Sequence, residues 1–171
     1  GTSNTGIGYY ALGGCTTGSS NNAFGHTALD AAVTGSYNNA FGQNALGANT
    51  SGHRNTALGQ DSLQANTTGS ENTAVGNSAL AQNVTGNQNT AVGGNCLDEC
   101  TTGVENTAVG YGAANNLTTA HYNTAIGYNA SRDLTTGNSN TTLGINAGLV
   151  LTTGTNNLIL GTNAGRSGSP S

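Results

Sequence analysis

The sequence carries very little charge, and it has no lysine, methionine or tryptophan. Only 6% of its 171 residues are charged, whereas an ordinary globular domain has about 25%. Three arginines cannot form the basic surface that nucleic acid requires, so we expect no nucleic-acid partner. Because no run of about 18 apolar residues occurs, we expect no membrane insertion either.

Proline is also nearly absent, since the only one, Pro170, lies at the end of the chain. Stacked strands need every backbone N–H for pairing, so this absence favours a continuous ladder of strands. Low hydrophobicity would indicate disorder if the net charge were high, but the net charge is only −4. No signal peptide is visible and the chain starts within a repeat, so we expect a mature fragment or a piece of a longer protein.

The sequence is instead dominated by the pentapeptide Asn-Thr-Ala-Val-Gly, which occurs unchanged at Asn72–Gly76, Asn89–Gly93 and Asn106–Gly110. The copies are 17 residues apart, and stepping by 17 in both directions from Gly76 meets glycine ten times. These marker glycines are Gly8, Gly25, Gly42, Gly59, Gly76, Gly93, Gly110, Gly127, Gly144 and Gly161. Asparagine precedes every marker glycine by four residues. A short period without slippage predicts a solenoid in which one period is one coil.

The residues directly before each marker glycine predict a β-strand. Large apolar residues such as Val92 occupy the last strand position, and alanines such as Ala91 usually occupy the one before it. Because neighbouring side chains of a strand point to opposite faces, two apolar columns indicate that both faces are covered. One face can look into the coil, and the other needs a second surface, most simply another chain.

Repeats such as Asn-Thr-Ala-Val-Gly-Asn-Ser-Ala-Leu at Asn72–Leu80 resemble the head repeats of trimeric autotransporter adhesins and the repeat arrays of bacteriophage tail fibres. The resemblance covers residues 4–165, although the coil is longer than in adhesin heads, and within these 171 residues we expect no stalk, anchor or chaperone domain. It implies a left-handed parallel β-roll with three chains to a fibre. We therefore expect an all-β parallel β-solenoid of ten coils at residues 1–165, a C-terminal tail at 166–171, and a homotrimer.

Other columns predict the interior and the corners of the coil. Leucine occupies one column up to Leu97 and another from Leu117 onward, which suggests that the two columns share one interior pocket. Both recurrent glycine columns, the marker and the Thr-Thr-Gly glycine such as Gly69, are expected to be positive-φ corners. The recurring asparagine either forms a hydrogen-bonded ladder along the stack or merely suits a turn, and both can hold.

Two local features are candidate sites. Tyr111 and Tyr128 follow successive marker glycines, so they either form a platform for a glycan ring or only stabilise the stack. Cys96 and Cys100 lie in one coil, where they are either small buried fillers or a disulfide that would suit an extracellular fibre.

Apolar residues also gather at the C-terminal end, at places where earlier coils are mostly small or polar. We expect these residues to form an assembly junction with a following domain, a partner chain or the next subunit of a head-to-tail filament, because exposed apolar patches mark contact surfaces. The alternative is a wider interior in the last coils. The residues are Ile145, Leu149, Val150 and Leu158.

The seven carboxylates and three histidines form no catalytic or metal-binding motif, so we expect no enzyme activity, metal or cofactor. The expected function is a structural and adhesive segment of an extracellular fibre, at a cell surface or on a virion, with a cell-surface glycan or receptor as partner. The alternative is a monomeric ice-binding β-solenoid, which threonine columns such as Thr68, Thr85 and Thr102 favour. Against it, each of these threonines has a neighbour such as Thr67 that should face the opposite way.

Overall fold

The structure, a computed structural model, describes residues 1–31 and 33–166 of the chain. Within those residues it contains ten strands of three residues each and no helix. The strands are β1 (Thr5–Ile7), β2 (Asn22–Phe24), β3 (Asn39–Phe41), β4 (Thr56–Leu58), β5 (Thr73–Val75), β6 (Thr90–Val92), β7 (Thr107–Val109), β8 (Thr124–Ile126), β9 (Thr141–Leu143) and β10 (Leu158–Leu160). Arg166 is the only residue of the predicted tail that is described, and 167–171 lie outside the described residues.

The strands form one parallel sheet in chain order, from β1 to β10. Each residue pairs with the one 17 positions later, as Ala74 does with Ala91 and Val75 with Val92. The register is the same from the first pair of strands to the last. The predicted parallel β-solenoid with a 17-residue coil is therefore confirmed.

The two apolar columns of the strand divide between the inside and the outside of the coil. The middle residue points inward, and alanines such as Ala91 and Ala108 are completely buried there. The last residue points outward, where Leu58 and Leu143 are each 48% exposed. The small side chain is thus inside, because the leucines fill the rest of the narrow coil.

Both leucine columns reach the same core. Leu80 and Leu97 from the earlier coils and Leu117 and Leu134 from the later ones have no exposed surface and belong to one cluster. Where a later coil lacks the first leucine, a small residue such as Ala114 takes its place. This placement agrees with the shared pocket that the sequence predicts.

The coil turns at residues in the left-handed region of φ. The marker glycines have φ between 110° and 141°, a conformation that side chains rarely tolerate. Three columns of other residues also have positive φ, represented in one coil by Asn95 at 52°, Leu97 at 52° and Glu105 at 56°. The sequence did not indicate these three corners, because their residues are mostly not glycine.

The second glycine column was predicted to be a positive-φ corner, and that prediction is wrong. Gly52 and Gly69 are not among the positive-φ residues. Glycine is required there because a side chain has no space. A Cβ on Gly69 would lie 2.4 Å from the carbonyl oxygen of Gly86 in the next coil. Close approach of neighbouring backbones, not the turn, selects glycine here.

The recurring asparagines form a buried ladder, which we call the main ladder. Oδ1 of Asn72 accepts from the backbone N–H of Asn89 at 2.9 Å and from its Nδ2 at 3.3 Å. Nδ2 of Asn89 also donates to the carbonyl of Gly103 at 2.7 Å. The same pattern continues to Asn157, so every coil is fixed to its neighbours by side-chain as well as backbone bonds.

Candidate functional site

The outward residues of the ten strands form a continuous apolar line along the solenoid, which we call the outer stripe. Each member pairs in register with the next coil, so the line does not drift around the rod. In Phe24 and Phe41 the rings stack with centroids 4.7 Å apart and planes 6° from parallel. The outer stripe consists of Ile7, Phe24, Phe41, Leu58, Val75, Val92, Val109, Ile126, Leu143 and Leu160.

In the part of the chain that the structure describes, the two columns that flank the outer stripe contain no aspartate, glutamate, lysine or arginine. The other outward strand position is usually threonine, as at Thr73 and Thr90, and the column after the marker glycine is polar, aromatic, glycine or Ile145. The aspartates, glutamates and arginines all lie in other columns of the repeat. A long apolar line between uncharged flanks has the composition of an interface core rather than of an ordinary solvated face.

Tyr111 and Tyr128 stack on the surface as the sequence suggested. Their ring centroids are 5.8 Å apart with planes 14° from parallel, and the side chains are 54% and 51% exposed. Nδ2 of Asn95 donates to the hydroxyl of Tyr111 at 3.2 Å. The pair offers an open aromatic face, and a role as glycan platform or as a stabilising contact fits this geometry equally.

The predicted junction residues separate into two groups. Ile145, Val150 and Leu158 are exposed, by 51%, 46% and 69%. Leu149 is 8% exposed and therefore packs within its own chain. Leu149 is therefore not available for a junction, whereas the other three leave apolar surface at the C-terminal end of the rod.

Cys15, Cys96 and Cys100 are all free thiols in the structure. Cys96 and Cys100 are completely buried, and the thiol of Cys96 donates to the carbonyl of Ala108 at 3.2 Å. Burial raises the pKa of each to about 12. The structure therefore has these two cysteines as small interior fillers, which is the first of the two alternatives that the sequence left open.

Adjacent threonines do not face opposite ways, contrary to expectation. Thr68 is exposed and Thr67 is partly exposed, so neither side chain points into the core. The hydroxyl of Thr67 donates to the carbonyl of Val84 in the next coil at 3.0 Å. Both threonine columns therefore lie at the surface of the coil, so the objection that one of them must point inward no longer counts against an ice-binding face.

A small hollow that the sequence did not indicate lies on the surface of the second and third coils, with a cavity volume of about 300 Å³. Arg54 belongs to its lining and forms an ion pair with Glu71 of the next coil at 3.5 Å. The hollow is lined by Thr34, Gly35, Ser36, Tyr37, Ser51, His53 and Arg54.

The described residues give little support for a catalytic acid–base site or a metal-binding site. Three or more histidine, cysteine, aspartate or glutamate side chains nowhere converge there as metal ligands would. Burial, and secondarily the charge of Glu99, raises the pKa of Asp98, but this carboxyl has no catalytic partner in its coil. Helices that could cross a membrane are likewise not found in the described part of the chain.

Comparison of the chain with protein-family models, with curated proteins and with solved structures gave no match in any of the three.

Proposed function

We propose that this chain is a rigid structural and adhesive segment of an extracellular fibre, in which three copies pack as a homotrimer. The outer stripe is the observation that carries the proposal. In this proposal each protomer is a left-handed β-roll, the fibre belongs to a cell surface or a virion, and the segment has no catalytic role.

The outer stripe supports assembly because monomeric proteins rarely leave a long apolar surface uncovered. One large apolar side chain per coil extends over all ten coils, and Ile7 and Leu160 at the two ends are 59% and 56% exposed. At about 4.8 Å per coil, the stripe is about 48 Å long. A line of this length needs a partner of the same length.

A second copy of the chain is the partner that fits best. Its stripe has the same 17-residue repeat and therefore the same spacing between side chains, so the lines match along their whole length. Uncharged flanks allow close approach without burying an unpaired charge. Closed cyclic symmetry completes the burial, and the number three comes from the resemblance to trimeric adhesin heads and tail fibres.

Sedimentation equilibrium tests this assembly. We expect three times the mass of the 16.8 kDa chain, and a folded monomer for Val92→Asp, because Val92 is outward and its replacement leaves the core intact. Gln64→Asp, an equally charged change at an exposed residue outside the stripe, should remain trimeric, since the same column already contains Asp30 and Asp98. A native protein that sediments as a monomer at every concentration would exclude the proposal.

The exposed apolar residues at the C-terminal end support a further contact along the fibre. We propose that Ile145, Val150 and Leu158 pack against a following domain or against the next subunit of a head-to-tail filament. In the same proposal, Tyr111 and Tyr128 contact a glycan or receptor.

Ice binding is a second candidate function, and the exposed threonine columns favour it. Thr68, Thr85 and Thr102 repeat in register along the rod and are all exposed. Their spacing is one coil, about 4.8 Å. Thermal hysteresis measured on the purified chain decides: its presence supports ice binding, and its absence removes this candidate.

A further inference from the structure

We propose that the hollow beside Tyr37 and Arg54 binds an acidic saccharide, that is, a sugar carrying a carboxylate or a sulfate. The site is separate from the outer stripe. Tyr37 and Arg54 have φ of 63° and 55° and form the corner of the coil before the strand, so the hollow lies on the face that precedes that corner. None of the residues that line the hollow belongs to the outer stripe, and the proposed site is complete within one chain.

The hollow exists because small residues meet there between larger ones. Gly35, Ser36 and Ser51 are the small residues of its lining. Ser51 is exposed and is the only serine in a column that is otherwise threonine, as at Thr34 and Thr68. Tyr37, His53 and Arg54 are the large residues of the lining. At about 300 Å³, the space lies at the lower limit of small-molecule sites, which suits one or two sugar rings.

The backbone of Tyr37 and Arg54 is held in place by the neighbouring coils. Tyr37 and Arg54 each precede a completely buried asparagine of the main ladder, Asn38 and Asn55. Their own backbone N–H groups donate to the carbonyls of Ser19 and Ser36 in the preceding coils, at 3.0 and 3.1 Å. Both corners are therefore fixed before a ligand arrives, which lowers the entropy cost of binding.

The polar groups around the hollow select the ligand class. Tyr37 is 59% exposed and offers an aromatic face to the apolar C–H side of a sugar ring. The hydroxyls of Ser36 and Ser51 can exchange hydrogen bonds with ring hydroxyls. His53 is fixed by Ser70, whose Oγ accepts from its backbone N–H at 3.1 Å and lies 3.2 Å from its Nδ1.

Arg54 supplies the preference for an acid. Its contact with Glu71 is a single N–O pair at 3.5 Å between side chains that are 60% and 44% exposed, so it is weak. The remaining guanidinium N–H groups can bind a carboxylate or sulfate in the forked geometry that makes such pairs strong. The chain has only three basic residues in all, and among the described residues Arg54 is the one that lines this hollow.

Saturation-transfer NMR and titration calorimetry with 3′-sialyllactose, a heparin disaccharide and neutral lactose test the proposal. At least one acidic probe should bind more tightly than lactose, and Arg54→Gln should remove that difference. Tyr37→Ala should weaken binding at least tenfold. Tyr122→Ala, in the same column five coils further on, should not change it.

Ser51→Thr tests the site most directly. It introduces the residue that the other coils have in this column, so the variant should fold as well as the native chain. The added methyl group enlarges a residue that lines the hollow, so binding should fall at least tenfold while the circular dichroism and melting temperature stay the same. If neither acidic probe binds, or if Ser51→Thr and Tyr37→Ala bind as tightly as the native chain, the proposed site is wrong. Sedimentation of the same samples reports the trimer independently.

Discussion

Asn83 donates from Nδ2 to Oδ1 of Asn66 at 2.7 Å, while its own Oδ1 is buried and accepts no hydrogen bond from the described residues. Asn66 in turn donates to Oδ1 of Asn49 at 2.9 Å. These three residues form a second, short ladder inside the coil. It stops at Asn83 because Cys100 occupies the next position of the column.

Cys100→Asn should extend the short ladder by one step. The new amide would donate to Oδ1 of Asn83, and satisfying a buried acceptor is worth about 1–3 kcal/mol. Urea unfolding should therefore show a higher free energy of unfolding for Cys100→Asn than for Cys100→Ala, which removes the thiol without adding a donor. Equal stability of the two variants would mean that the amide does not reach Asn83.

The shared leucine pocket predicts a rescue. Leu97→Ala should lower the free energy of unfolding by about 2–5 kcal/mol, and adding Cys100→Leu should recover part of it, as Leu117 does beside Ala114. In the native background, Cys100→Leu alone should destabilise the fold because Leu97 still fills the pocket. Denaturant unfolding of the four proteins provides the test, and a double variant no more stable than Leu97→Ala would show separate pockets.

The corner residues predict opposite effects of glycine at two exposed glutamates. Glu105 has a φ of 56°, where a side chain costs about 1–2 kcal/mol that glycine avoids, so Glu105→Gly should stabilise the chain. Glu99 is exposed and has no positive φ. Glu99→Gly removes the same charge and should cost about 0.5–1 kcal/mol. Thermal unfolding of both variants must show this difference in sign for the corner assignment to hold.

The buried thiols predict a loss of stability at high pH. Burial raises the pKa of Cys96 and Cys100 from 9.0 to about 12, so the folded chain keeps protons that the unfolded chain releases. The contribution is complete below pH 9 and falls as the pH rises towards 12, by about 1.4 kcal/mol per pH unit for each thiol.

The variant Cys96→Ala/Cys100→Ala lacks both thiols but keeps every tyrosine. Its free energy of unfolding should decline less steeply between pH 9 and 11 than that of the native chain. Parallel pH profiles for the two proteins would show that the thiols do not contribute.

The repeat period, the strand and the main ladder follow from the sequence because each has its own uniform column. Which face of the strand points into the coil does not follow from the sequence, since Ala91 and Val92 are both apolar. The small width of the coil decides that the alanine is inside. The short ladder is hidden because its column also contains Cys100 and Leu117. The hollow at Ser51 depends on side chains from two coils, which a single column cannot show.

The central claim is that the outer stripe packs against the stripes of two other copies. Spin labels on Val92→Cys, in a chain whose Cys15, Cys96 and Cys100 are replaced by alanine, test it by pulsed electron paramagnetic resonance. A homotrimer predicts one inter-label distance and a signal of three coupled spins. An uncoupled, single-spin signal from the folded protein would contradict it.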